Sequence, residues 1–141
     1  MCRWLLDTNI IISGLFWSGN ESKLLELAIA EKYEAVISEF VLREAERIIK
    51  EKFSEMEEKV QPVLSMLMNS AENYPLLAEN KVVEFKNQHG EIIADKGDLV
   101  ILATAFEAGV DAIITGDKHF DNSEVQELIE VIDAGDALER L

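Results

Sequence analysis

Acidic residues occupy positions where a chemical site would use them. Asp7 interrupts an apolar stretch, between Trp4-Leu5-Leu6 and Ile10-Ile11-Ile12, and an ionised carboxylate there is costly unless it is put to use. Asp117 closes Ile113-Ile114-Thr115-Gly116-Asp117, and Asp98 ends Asp95-Lys96-Gly97-Asp98, directly before an apolar run at 99–106. Farther back, Glu44 and Glu46 sit on opposite shoulders of an apolar stripe, and spacing alone does not choose between them. Taken singly, Asp98 reads as a helix cap, Asp117 as a turn residue and Glu44 as a solvated helix charge. Brought together they repel, two carboxylates ~5 Å apart by about 3 kcal/mol at an effective dielectric near ~20. They must then protonate, separate or bind cations. Mg²⁺ or Mn²⁺ suits a site of carboxylates and water, and such a site keeps positions free for phosphate oxygens and orients a water for in-line attack.

The elements that would position these acids alternate. Short apolar runs at 3–7, 35–38, 82–85, 112–115 and 130–132 read as strands. Between them lie helical patterns: Leu24, Leu25, Leu27 and Ala28; then Phe40, Val41, Ala45, Ile48, Ile49 and Phe53; then 55–72, where Pro62 kinks the helix or begins a second segment. Tyr74-Pro75 reads as a break. The stretch 99–106 is apolar nearly all round and stops at Gly109, as a buried, glycine-capped helix does. A closing helix is expected over 134–141. This order predicts an α/β fold, a three-layer α/β/α sandwich around a central, mostly parallel five-stranded sheet. Its strands lack clean two-residue alternation, as strands covered on both faces should. Ligands of such sheets bind beyond the carboxyl ends of the strands, where strand order reverses, and that rim would hold Asp7, Asp98 and Asp117.

Composition bounds the alternatives. With 141 residues, 48% hydrophobic and 29% charged, one domain over 1–141 with a real core is expected. Seven glycines and two prolines exclude fibrous or linker-rich chains. The single cysteine, Cys2, excludes a disulfide framework and a cysteine-rich zinc site. The start Met1-Cys2-Arg3-Trp4-Leu5-Leu6-Asp7 meets an acid too early for a signal peptide, and no apolar run reaches the ~18 residues of a membrane span, so a soluble, cytoplasmic protein is expected. Thirteen Lys+Arg against 28 Asp+Glu give a net charge of −15. That argues against coating nucleic acid by general basicity but not against reaching phosphate through bound metal ions.

Read together, the segments at 5–15 (LLDTNIIISGL), 37–49 (ISEFVLREAERII) and 95–120 (DKGDLVILATAFEAGVDAIITGDKHF), with the closing strand near Val131, resemble the PIN-domain family. The resemblance implies a metal-dependent endoribonuclease acting on RNA, in many members the toxin of a toxin–antitoxin pair. It implies an acidic site of Asp7, Glu44, Asp98 and Asp117, serving both catalysis and metal binding with Mg²⁺ or Mn²⁺, and it selects Glu44 over Glu46. Asp121 is a candidate fifth acid and Asp95 a supporting or loop residue. Thr8, Asn9 and Thr115 resemble groups that fix the carboxylates. Residues 52–72 depart from the pattern and resemble an insert or clamp.

Other readings carry their own marks. A haloacid-dehalogenase-type phosphatase would use Asp7 as a nucleophile, with Gly116-Asp117 and Asp121 as its metal motif, but Asn9 stands where the second aspartate is needed as general acid. A module binding RNA or protein without turnover is favoured by the net charge, most of which lies outside the four acids. A neutralising partner such as a basic antitoxin segment, or a homodimer, is expected. His89 and His119 are too few for zinc, and His119 reads as a surface residue. Trp4 and Trp17 read as core and interface aromatics. Arg43, Arg47 and Lys50 share a helix face that would either hold an RNA backbone or pair with Glu46 and Glu51. Lys96 and Lys118 adjoin site acids and would neutralise them or contact phosphate. No Walker A or G-x-G-x-x-G pattern supports a nucleotide cofactor.

Overall fold

Leu5, Leu6, Val36, Ile37, Ile113 and Ile114 are all buried. Neighbours along a strand point to opposite faces, so both faces of this sheet are covered. The strands are β1 (Arg3–Leu6), β2 (Glu34–Ser38), β3 (Glu72–Tyr74), β4 (Ala112–Ile114) and β5 (Glu130–Ile132). A computed structural model describes Met1–Leu141 and pairs all five in parallel, in the order β3-β2-β1-β4-β5. Leu5 of the central strand lies opposite Val36 on one side and Ile113 on the other. The helices are α1 (Thr8–Phe16), α2 (Asn20–Ile29), α3 (Glu39–Lys52), α4 (Glu57–Ser70), α5 (Glu79–His89), α6 (Lys96–Ala108), α7 (Ser123–Leu128) and α8 (Ala134–Glu139). They complete the expected three-layer α/β/α sandwich. Its core of 35 buried hydrophobic residues runs from Trp4 to Ala137, so the first strand and the last helix share one interior.

Strand order reverses at β1. The chain builds outward from β1 through β2 to β3, then returns to place β4 and β5 on the other side. Beyond the carboxyl ends of β1 and β4 this leaves the crevice where parallel sheets hold ligands. Three local devices aim residues at it. Asp7 follows β1 and caps α1, its side chain accepting the amide of Thr8. Ser38 ends β2 and caps α3 by accepting the amide of Val41. Asp95 caps α6, which closes at Gly109 in the left-handed region (φ 66°) that favours glycine.

Three expectations need correction. The run 82–85 is not a strand: Val82 and Phe85 lie in α5, with Phe85 turned into the core between charged, exposed neighbours. The third strand is instead Glu72–Tyr74, a short polar edge strand, which carries no apolar signal because its outer side is open to solvent. Asp98 is not the helix cap; Asp95 is, and its carboxylate accepts the amide of Asp98 at 2.9 Å. Residues 52–72, read as an insert or clamp, pack into the body of the fold. A 3₁₀ turn at Ser54–Met56 leads into α4, which runs through Pro62 and buries Val60, Leu64 and Leu67 in the core.

Candidate metal centre

Asp7, Glu44, Asp98 and Asp117 line one cleft of about 520 Å³ in the crevice beyond β1 and β4. Asp7 is buried in it. Its Oδ1 accepts the amide of Thr8 at 2.7 Å, and its Oδ2 accepts the hydroxyl of Thr115 at 2.6 Å. The same Thr115 oxygen accepts the amide of Asp117 at 2.9 Å, so one hydroxyl fixes the spacing between two acids. The Thr8 hydroxyl donates to Glu44 Oε1, and Asn9 Oδ1 accepts the amide of Gly116 at 3.4 Å, joining the loops after β1 and β4. Thr8, Asn9 and Thr115 thus hold the acids and the loops that carry them.

The electrostatics record the crowding. Burial pushes the Asp7 carboxyl up; the bonds from Thr115 and Thr8 oppose this, and the charges on Asp117 and Glu44 add to it. Asp98 is pushed up to about 6, chiefly by burial and then by Asp117, Asp95 and Asp7, against the bond from His119. No lysine or arginine pairs with these acids. Their cationic neighbour is His119, whose Nδ1 lies 2.9 Å from Asp98 Oδ2 and 3.4 Å from Asp117 Oδ1. The bond to Asp98, then the charge on Asp117, raises the imidazole's own pKa. Ligand atoms of Asp98, Asp117 and His119 all lie within 4.8 Å of one another. Carboxylate oxygens held by hydroxyls and amides, short of neutralising charge, form the donor set that a hard divalent cation fits.

His119 is therefore no mere surface residue. It caps the acid pair, its own amide donating to Asp117 Oδ1 at 2.9 Å. The signal in sequence was its place two residues after Asp117. Asp95 lines the cleft as the cap of α6, whereas Asp121 lies outside it, accepting from Gln126 Nε2 at 3.5 Å. Arg43 and Arg47 pair along their helix with Glu39 and Glu51. Lys96 lines a separate apolar groove beside Phe40 and Val83, and the lysine of the acid cleft is Lys52. Ser13, Trp17, Ile48 and Phe53 also line the cleft, and sequence reading had not assigned them there.

A parallel α/β sandwich with clustered carboxylates at its switch point defines the class. The chain belongs to the PIN-domain family, whose model matches residues 3–119. Members of this family are generally nucleases that use divalent metal ions. No curated protein matches the chain. The fold is similar to VapBC2 from Rickettsia felis bound to a DNA fragment from its promoter (20% identity, 93% of this chain and 98% of that one, TM-score 0.64). It is also similar to DNA-bound VapBC from Salmonella typhimurium (16%, 95% and 99%, TM-score 0.66). A third likeness is to a toxin–antitoxin complex from Klebsiella pneumoniae (20%, 92% and 96%, TM-score 0.62). No helix is long and apolar enough to cross a membrane.

Proposed function

We propose that the protein is a metal-dependent endoribonuclease whose site is Asp7, Glu44, Asp98 and Asp117. The observation that carries this reading is that four acids from separate parts of the chain line one cleft, held by hydroxyls, amides and the His119 imidazole and unpaired with lysine or arginine. Mg²⁺ or Mn²⁺ bound there would supply Lewis-acid stabilisation of phosphate charge and lower the pKa of water. The chain's own residues do the rest. Asp7 and Asp117, spaced by Thr115, present oxygens from the floor of the crevice, while Glu44 faces them from α3, oriented by Thr8. His119 Nδ1 lies between Asp98 and Asp117, and these carboxylates favour its protonated form. The similarity to toxin–antitoxin proteins supports a toxin role with an antitoxin partner.

The test is cleavage of single-stranded RNA in Mg²⁺ or Mn²⁺. Wild-type protein is expected to cut, and Asp7→Asn to lose activity while its melting transition persists. Undiminished cutting by Asp7→Asn removes the mechanism. A folded wild-type protein that binds RNA but cuts nothing is a binding module instead.

A further inference from the structure

The acid cleft has a second end, and it is aromatic. Two stripes at four-residue spacing line the cleft: Asn9 and Ser13 of α1 with its C-cap Trp17, and Glu44, Ile48 and Lys52 along α3. The helices run side by side in the same direction. Thr8 meets Glu44 where the acids lie, and Phe16 and Trp17 meet Phe53 at the other end. Phe16 stacks on Phe53 with ring centroids 4.1 Å apart, and Trp17 and Phe53 meet T-shaped at 5.8 Å and 83°. Trp17 is thus a braced ring, yet it is 58% exposed. Lys52 makes no ion pair, whereas Arg43 and Arg47 of the same helix do. At ~1.5 Å rise per residue, the ten steps from Asp7 to Trp17, the caps of α1, span about 15 Å, a distance of a few nucleotides.

We propose that Trp17, braced by Phe16 and Phe53 and flanked by Lys52, is a base-stacking subsite for a single-stranded nucleic acid whose backbone reaches the acids; this rests on the nuclease reading above. A braced, exposed indole offers a face to any base, and the neighbouring ammonium meets a phosphate. The face needs an unpaired base, so the subsite prefers single strands to duplex. The exposed apolar residues Met56, Val63 and Met66 do not line the cleft, whereas Trp17 and Phe53 do.

Adenosine 5′-monophosphate tests this, because it carries a base and a phosphate but no diester to cut. Ribose 5-phosphate is the same probe without a base. The other tryptophan, Trp4, is 1% exposed, so the quenching that Trp17→Phe abolishes belongs to Trp17. In Mn²⁺, the mononucleotide is expected to quench wild-type emission saturably and ribose 5-phosphate to leave it unchanged. In cleavage, Trp17→Ala is expected to raise KM for a single-stranded oligoribonucleotide about tenfold with kcat within about twofold, and Trp17→Phe to restore most of the loss. Emission unmoved by the mononucleotide, or a KM unchanged in Trp17→Ala while wild-type protein cuts, overturns the subsite and leaves the nuclease reading standing. Quenching produced only by a protein partner overturns it as well. If wild-type protein cuts no RNA, the nuclease reading fails and the mononucleotide titration still decides the subsite.

Discussion

The Thr115 hydroxyl donates to Asp7 Oδ2 at 2.6 Å although the two residues lie 108 positions apart. Both are buried, and the same oxygen receives the amide of Asp117. Thr115→Val leaves a buried carboxylate and a backbone amide each one partner short. It is expected to cost about 1–3 kcal/mol, read as a lower denaturant midpoint at unchanged slope. RNA cleavage should fall ~10–100-fold. Thr115→Ser keeps the hydroxyl and should stay near wild type in both.

Glu44 and Glu46 make a matched pair for mutation. Glu44 lines the cleft and accepts from Thr8, whereas Glu46 is exposed on the far side of α3. Glu44→Gln removes one charge from the centre and should lower cleavage more than ~100-fold. Glu46→Gln should leave the rate within about twofold, as exposed substitutions do. Equal effects in steady-state assays would take Glu44 out of the site.

Stability should depend on pH with a definite sign. Burial raises Asp98 to about 6 and also raises Asp7, while Asp98 and Asp117 raise His119. A group whose folded pKa lies above its unfolded value stabilises the fold below the unfolded value, and that contribution is lost as pH rises through the folded one. All three shifts act in this direction. Without divalent cations, the melting temperature should fall as pH rises from about 4 to 7, and Asp98→Asn should flatten the part near about 6. Mn²⁺ binds the deprotonated acids, so its stabilisation should grow over the same interval. A wild-type melting temperature that rises with pH in parallel with Asp98→Asn would contradict these assignments.

The legibility of this chain followed burial. The central strands are doubly covered apolar runs, so composition marked them, and the acids that follow β1 and β4 stood out against them. The edge strand Glu72–Tyr74 has little to bury and left no mark, while the apolar residues of 82–85 belong to one side of a helix. His119 is open to solvent, as a surface residue is, and its bond to Asp98, 21 positions away, left no mark in the sequence. The spacing of Glu44, Ile48 and Lys52 was legible as one helix face. What it faced depended on α1, and only the packing of the two helices reveals that.

Gly14 lets α1 and α2 meet closely. A Cβ there would lie 2.4 Å from Leu25 Cδ1 and 2.9 Å from the Glu21 carbonyl oxygen. The backbone atom cannot swing aside as a side chain can. Gly14→Ala should therefore destabilise by about 1–3 kcal/mol, roughly 2–4 °C per kcal/mol for a chain of this size. Calorimetric melting measures this directly, and an unchanged or higher transition would show that the helices separate freely.

Titrating Mn²⁺ into metal-free protein by calorimetry asks most directly whether the acid cleft is a metal centre. Binding well below millimolar is expected, with protons released near pH 6 as Asp98 gives them up, and both signals should vanish in folded Asp7→Asn. Wild-type protein that takes up no Mn²⁺ at millimolar concentration, or an Asp7→Asn variant that binds it equally well, would contradict the proposed centre.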